Sequence, residues 1–315
     1  MDTAVRFSEA RGRWVLAAAV LGSGMAMLDG TVVNVALPRL ADEFGASVAG
    51  LQWTVNAYAL TLAGFILLGG ALGDRYGRRR VFTIGVVWFA VASAICGFAP
   101  DIEILIAARA LQGVGGALLM PGSLAILQAT FVAEDRARAV GAWSGLGGVA
   151  GAVGPFLGGW LVESVSWRWV FLLNLPLAAV VIAIAVRHVP ETQDPQAHGR
   201  FDILGGTLAA IGLAGITYAL TALPDGGSAG VVAGIAGLAA AALFGAVEWH
   251  RTQRDSETPA MLPLDIFRSS QFSAINAVTF LVYGAMSVLF FLLVVDLQVV
   301  AGFSPITAGT ALLPV

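Results

Sequence analysis

Two residues stand out by chemistry and by place: Asp29 and Arg109, a carboxylate and a guanidinium each set inside an apolar run long enough to cross a bilayer. Holding an ionisable side chain at bilayer depth costs at least about 2.5–3.5 kcal/mol, so each one calls for a partner or a task. If the first run is a helix that ends near Pro38, Asp29 lies about 13 Å below that end. If the fourth run starts near Ile102, Arg109 lies about 10 Å below the same surface. The depths agree to within about one helical turn, so the two can pair across a cavity or share a proton-linked network with Asn34 and Gln112. The plainer alternative is a static ion pair that staples two helices, which is a costly way to stabilise anything.

Other reactive types are scarce. All 17 basic residues are arginine, which removes Walker-type nucleotide binding and Schiff-base chemistry, both of which need a lysine amine. Cys96 is the single cysteine, so there is no intrachain disulfide framework and no thiolate metal cluster. His188, His198 and His250 fall in or beside polar loops without metal-ligand spacing. No cluster of nucleophile, base or metal ligands is visible in the apolar runs, so the sequence does not read as an enzyme and calls for no metal or cofactor.

The elements that carry these residues follow from composition. Of the 315 residues 58% are hydrophobic and 12% charged, with a mean hydropathy of +0.84, against about 45–50% and about 25% in soluble domains. The net charge of −3 does not suggest a nucleic-acid partner. About 20 apolar residues of helix cross the hydrocarbon core. Nine such runs occur, roughly 14–38, 51–72, 81–98, 104–130, 138–162, 168–187, 203–222, 229–249 and 271–297, and a tenth begins near Ser304. They are apolar on all faces and too long for barrel strands, so the expected class is an all-α integral membrane protein. The first run is also too long for the core of a cleaved signal peptide.

Arginine placement sets the expected topology. Arg6, Arg11, Arg13, Arg75, Arg78, Arg79, Arg80, Arg136, Arg138, Arg187, Arg200, Arg251, Arg254 and Arg268 fall on one side, and only Arg39 and Arg168 on the other. The positive-inside rule makes the crowded side, with the N-terminus, cytoplasmic. Asp296 then ends the ninth run at the outer surface, as an interfacial acid or one with a substrate or proton role. Glu248 ends its run at the cytoplasmic face, where it is expected to be solvated.

Two local patterns bear on motion. In the fifth run Ser144, Gly147, Gly151, Gly154 and Gly158 recur every three or four residues, stripping one helical face so that another backbone can approach closely; Pro155 removes one backbone donor there. After the second run, Asp74, Gly77 and the arginines that follow suit a tight reversal at a helix C-terminus near anionic lipid.

These residues resemble a known family. Gly70-x-Leu72-Gly73-Asp74-Arg75-Tyr76-Gly77-Arg78-Arg79 is similar to the signature between helices two and three of the major facilitator superfamily, and Leu105-x-x-x-Arg109-x-x-Gln112-Gly113-x-Gly115 to its fourth-helix motif. The Gly147 to Gly159 stretch, with Gly154-Pro155-x-x-Gly158-Gly159, resembles the fifth-helix motif of antiporters. Leu28-Asp29-Gly30-Thr31-Val32-Val33-Asn34-Val35-Ala36-Leu37-Pro38, and Trp167-Arg168-Trp169-Val170-Phe171 with Asn174-x-Pro176, resemble the 14-helix drug:proton antiporter branch.

The resemblance implies a cytoplasmic tail (1–13), an N-terminal six-helix bundle (14–187), a loop (188–202), a linking helix pair (203–249), a second loop (250–270) and the incomplete start of a C-terminal bundle (271–315). On that reading the chain is truncated. It implies a multidrug efflux transporter of a bacterial plasma membrane, exporting small organic, amphiphilic compounds in exchange for protons, with the proton gradient as energy source. A metabolite transporter of the same fold, or a transport-inactive sensor, is the alternative. Arg109 and Asp29 would serve proton coupling or cation binding, and Trp53 and Tyr58 would line the cavity as apolar and cation–π contacts. Asp74 with Arg75, Arg78 and Arg79 would form a cytoplasmic latch, with Glu134, Asp135 and Arg138 nearby. The fifth-helix glycines would seal the bundle contact.

Overall fold

A computed structural model of the chain describes residues 4–194, 202–222, 228–253, 260, 262 and 264–311. The expectations for residues 1–3, His198, Arg200, Arg254 and 312–315 lie outside them. The helices are α1 (Ala10–Phe44), α2 (Val48–Tyr76), α3 (Arg78–Gly97), α4 (Ile102–Thr130), α5 (Ala133–Ser164), α6 (Trp169–Leu172), α7 (Asn174–His188), α8 (Ile203–Ala222), α9 (Ser228–Thr252), α10 (Ser270–Val299) and α11 (Pro305–Ala311), with a 3-10 turn at Leu264–Arg268. Among the described residues nine segments are long and apolar enough to cross a membrane, α6 and α7 making one between them. The protein is an all-α integral membrane protein, because a helix satisfies its own backbone where no water is available.

Two of the helix starts carry a side-chain cap within the N-terminal unit. The Ser47 hydroxyl accepts from the Gly50 amide at 3.2 Å and starts α2, and Asp101 accepts from Ile104 at 2.8 Å to start α4. Gly77 alone separates α2 from α3, with φ of 111°, a backbone conformation that side chains with a Cβ rarely adopt.

The chain forms two compact units, Met1–His198 with Ser304–Val315, and Gly199–Phe303. In the first, α1 packs along α5, α4 and α7, α2 and α3 both lie along α4, and α11 rests on α5. The α2–α4 approach is close because Gly113 faces the Thr61 hydroxyl and the Tyr58 carbonyl, leaving no room for a Cβ. The apolar windows of α1 and α4 are each 56% buried, which makes these two helices the centre of the unit. In the second unit α8 packs on α9, and the 3-10 turn touches α9 and α10.

The segment before α1 is docked: Val5, 3% exposed, pairs with the backbone of Thr130 and Val132, because Val5 and Phe7 bury apolar surface in the corner between α4 and α5. One expectation is corrected here. Glu248 is not solvated but completely buried at the α8–α9 contact, where Arg251 and Asp202 accompany it.

Candidate functional site

Asp29 and Arg109 meet. The Arg109 Nη1 donates to Asp29 Oδ2, and both side chains are sealed from solvent. Four further donors and acceptors complete the arrangement. Gln112, one turn after Arg109 on the same face of α4, accepts from Arg109 Nη1 at 2.6 Å and donates to Asp29 Oδ1 at 2.8 Å. Asn174, the first residue of α7, donates to Asp29 Oδ1 at 3.1 Å and to Ser93 Oγ at 2.9 Å. Ser93 also accepts from Gln112 at 2.9 Å and donates its hydroxyl to the Phe171 carbonyl at 3.1 Å. From α2, the Thr54 carbonyl accepts from Arg109 Nε at 3.0 Å. Each of Asp29, Ser93, Arg109, Gln112 and Asn174 is 0% exposed. A buried ion pair recovers its desolvation cost only when the remaining lone pairs and protons are satisfied, and four helices besides α1 supply the partners.

The aromatic framing is cationic. The Arg109 guanidinium lies 4.3 Å from the Tyr58 ring centroid and 5.8 Å from that of Phe171, the separation at which a ring face attracts a cation. Tyr58 Oη donates to the Ala26 carbonyl at 3.0 Å. Tyr58 is therefore a buried partner of Arg109, whose guanidinium occupies its face. Trp53 is half-buried one helical turn away on α2.

Asn34 does not join. Five residues after Asp29, it is turned about 140° away around the helix axis, and its side-chain oxygen is buried without a hydrogen-bond partner. Asp296 is exposed on the last turn of α10, where its carbonyl accepts the Val300 and Ala301 amides, and it belongs to the other unit.

The glycine face of α5 receives α1. A Cβ on Gly147 would meet the Met27 sulfur at 3.0 Å, one on Gly154 the Thr31 hydroxyl at 2.0 Å, and one on Gly158 the Val32 side chain at 2.6 Å. Between them, Thr31 donates to the Gly151 carbonyl at 3.1 Å. The opposite edge of the motif receives α11: Gly159 lies under the Pro305 carbonyl, and Gly309 over that of Pro155.

At the α2–α3 turn Asp74 accepts from Arg78 Nε at 2.8 Å, and Gly70 on α2 lies against Pro121 of α4. Residues 189–194 run along this turn as a strap. The Arg78 amide donates to the Thr192 carbonyl at 2.9 Å, the Arg79 amide to Glu191 at 3.0 Å, and the Asp194 amide to the Asp74 carbonyl at 2.9 Å. Arg79 also reaches the Val189 carbonyl at 3.2 Å. Arg75 lies 5.8 Å from the Tyr76 ring centroid. Asp135 and Arg138, expected beside this turn, engage Phe7 instead, by a 2.8 Å hydrogen bond to its amide and by stacking 4.3 Å over its ring; Glu134 is exposed. The strap, invisible as a motif, takes the place expected for them.

The family model for the major facilitator superfamily matches residues 19–315. The chain belongs to this superfamily. Its relatives include a methylenomycin A resistance protein of Bacillus subtilis (strain 168), 37% identical over 301 residues, covering 95% of this chain and 64% of the relative. The multidrug efflux pump LfrA of Mycolicibacterium smegmatis is 39% identical over 306 residues, covering 96% and 59%. A probable actinorhodin transporter of Streptomyces coelicolor is 36% identical over 309 residues, covering 96% and 53%. The chain thus spans between 53% and 64% of the length of these relatives. Among solved structures, a bacterial homologue of the human lysosomal transporter Spinster, inward-facing and occupied, aligns with a TM-score of 0.49 and 21% identity over 79% of this chain and 63% of that one.

Within a major facilitator chain Asp29, Arg109 and Gln112 were legible as charged or amide groups in apolar runs. Asn174 appeared in a motif without a role, and Ser93 was missed. A lone hydroxyl in an apolar helix carries little signal; its i, i+3 relation to Cys96, whose thiol points at Gln112 from 3.7 Å, places both on the face turned to the site.

Proposed function

We propose that the protein is a secondary transporter of a bacterial plasma membrane that exports small amphiphilic, preferentially cationic compounds in exchange for protons by alternating access. The observation that carries this reading is the completely buried Asp29–Arg109 pair. An acid in such a place has two ways to be neutral: it pairs with the resident guanidinium, or it binds a proton. A cationic substrate offers a third. Competition among these three for one carboxylate is the physical requirement for antiport. The printed functions of the relatives, resistance to methylenomycin A and multidrug efflux, support export of organic compounds.

On this reading the strapped α2–α3 turn is the cytoplasmic latch and the α5 glycine face seals the contact that moves during the cycle. The N-terminus lies in the cytoplasm, as the distribution of arginines favours. Proton gradient-driven accumulation of a fluorescent cationic dye in inverted membrane vesicles tests the proposal. The full-length protein should accumulate dye, collapse of the gradient should release it, and Asp29→Asn should abolish accumulation while leaving the protein in the membrane. Dye movement that survives both treatments would refute the coupling.

A further inference from the structure

Outside the Asp29 site the second unit buries another group of charges. Asp202 caps α8, its Oδ1 accepting the Gly205 amide at 2.6 Å, and its Oδ2 pairs with Arg251 Nη1. Glu248, one turn before Arg251 on α9, accepts the Leu262 amide on Oε2 at 2.6 Å and directs Oε1 toward the same Arg251 nitrogen, 3.9 Å away. The Asp202 and Glu248 side chains are 1% and 0% exposed, and Arg251 is 17% exposed. Two carboxyl groups therefore share one guanidinium nitrogen. Glu248 Oε1 is buried without a hydrogen-bond partner. Both carboxyl groups converge on the one Arg251 nitrogen, which can balance only one of two negative charges, and a proton completes the balance. Without it, the cluster would bury one uncompensated negative charge, which costs several kcal/mol.

We propose that Glu248 and Asp202 hold one proton between them, forming with Arg251 a proton-binding site on the α8–α9 hairpin that is separate from Asp29. Glu248 is the residue that carries the proton. Asp202 is the better-served acceptor: although burial works to raise it, the hydrogen bonds from Arg251 and the Gly205 amide hold its carboxyl below the ordinary range. Among the described residues the other charged or titratable groups nearby are His250 on α9, which is exposed, and Asp265 and Arg268 on the 3-10 turn, which are exposed and paired with each other at 3.5 Å. None of them competes for the proton. Loss of the proton sets two buried like charges side by side, and their repulsion favours opening of the α8–α9 hairpin, which exposes the Leu262 amide.

The test compares the full-length protein with its Glu248→Gln and Glu248→Ala variants. A glutamine reproduces the protonated acid, donating to Asp202 and accepting from Leu262. Three readouts follow: the infrared carbonyl band of a protonated carboxyl at neutral pH, exchange of the Leu262 amide, and the melting midpoint as pH rises. In the wild type the folded state binds a proton that the unfolded state does not, so this contribution is full at low pH and is lost as pH rises through the site's release point. Above that point Leu262 protection should fall by about tenfold per pH unit. Glu248→Gln should remove the carboxyl band, match the wild type at neutral pH and stay protected in alkali; Glu248→Ala should be destabilised throughout. If the wild type lacks a Glu248 carboxyl band at neutral pH, or if Gln destabilises as much as Ala does, Glu248 is an ionised structural anion and the proposal fails.

Discussion

Arg109 is the residue on which the candidate site turns, because the other members touch it or Asp29, save Ser93, which joins through Gln112 and Asn174. Removing its charge leaves Asp29 buried with only amide donors, and breaking a buried pair in this way costs about 3–5 kcal/mol. Arg109→Leu should therefore lower the denaturation midpoint strongly. The double variant Asp29→Asn with Arg109→Leu should recover part of that loss, since no uncompensated charge remains; a thermal melt in detergent reads both. Asn174→Leu is a subtler case. It deletes one donor to Asp29 Oδ1 and one to Ser93, worth about 1–3 kcal/mol where the partners stay buried. Its melting midpoint should fall by less than that of Arg109→Leu, and an unchanged midpoint would make Asn174 a packing residue only. The sequence exposed this site unevenly for a physical reason. A charge in an apolar run is conspicuous because it is costly, whereas Ser93 and Asn174 are cheap to bury and announce nothing until the helices are assembled.

Helices were the most legible level: hydropathy locates the nine spans, although α1 runs from Ala10 to Phe44, beyond both ends of its apolar stretch. Which helix touches which was not, apart from the α5 glycine face, whose spacing predicts a close neighbour without saying that it is α1. The element-scale prediction lies there. Gly154→Ala should push α1 and α5 apart, because the added methyl meets the Thr31 hydroxyl at 2.0 Å; Gly148→Ala should be silent, since nothing lies within 4 Å of it. Overpacking of this kind costs about 1–3 kcal/mol. Cysteine cross-linking between α1 and α5, scored beside the melting midpoints, separates the two. Glu248 is the converse lesson. Its place at the end of an apolar run reads as a solvated terminus, and only the pairing of α8 with α9 reveals that the end is covered.

At the scale of the whole molecule, hydropathy and arginine bias specify an all-helical membrane protein with a sidedness, and that sidedness is open to direct measurement. Cys96 is buried and is the chain's single cysteine, so a membrane-impermeant thiol reagent applied to intact cells has little background. With the N-terminus in the cytoplasm, Asp42→Cys should be labelled from outside and Gln193→Cys only after the membrane is opened; the reverse pattern would invert the topology. Both positions are exposed. The division into two units was less legible, because composition is nearly uniform along a membrane chain and packing, not hydropathy, decides where one compact body ends.

The strap at residues 189–194 has a mechanical side. It is an extended stretch of six residues zipped lengthwise onto the α2–α3 turn by backbone hydrogen bonds, and so it is stored length. Peeled away, it becomes slack of about 20 Å at about 3.3 Å per residue. The end of the strap at residue 194 can then swing that far without unwinding a single turn of α7. While the strap is zipped, a tug on the chain beyond it is delivered to the turn between α2 and α3; once it is unzipped, the same tug is absorbed by the slack and the turn is left untouched.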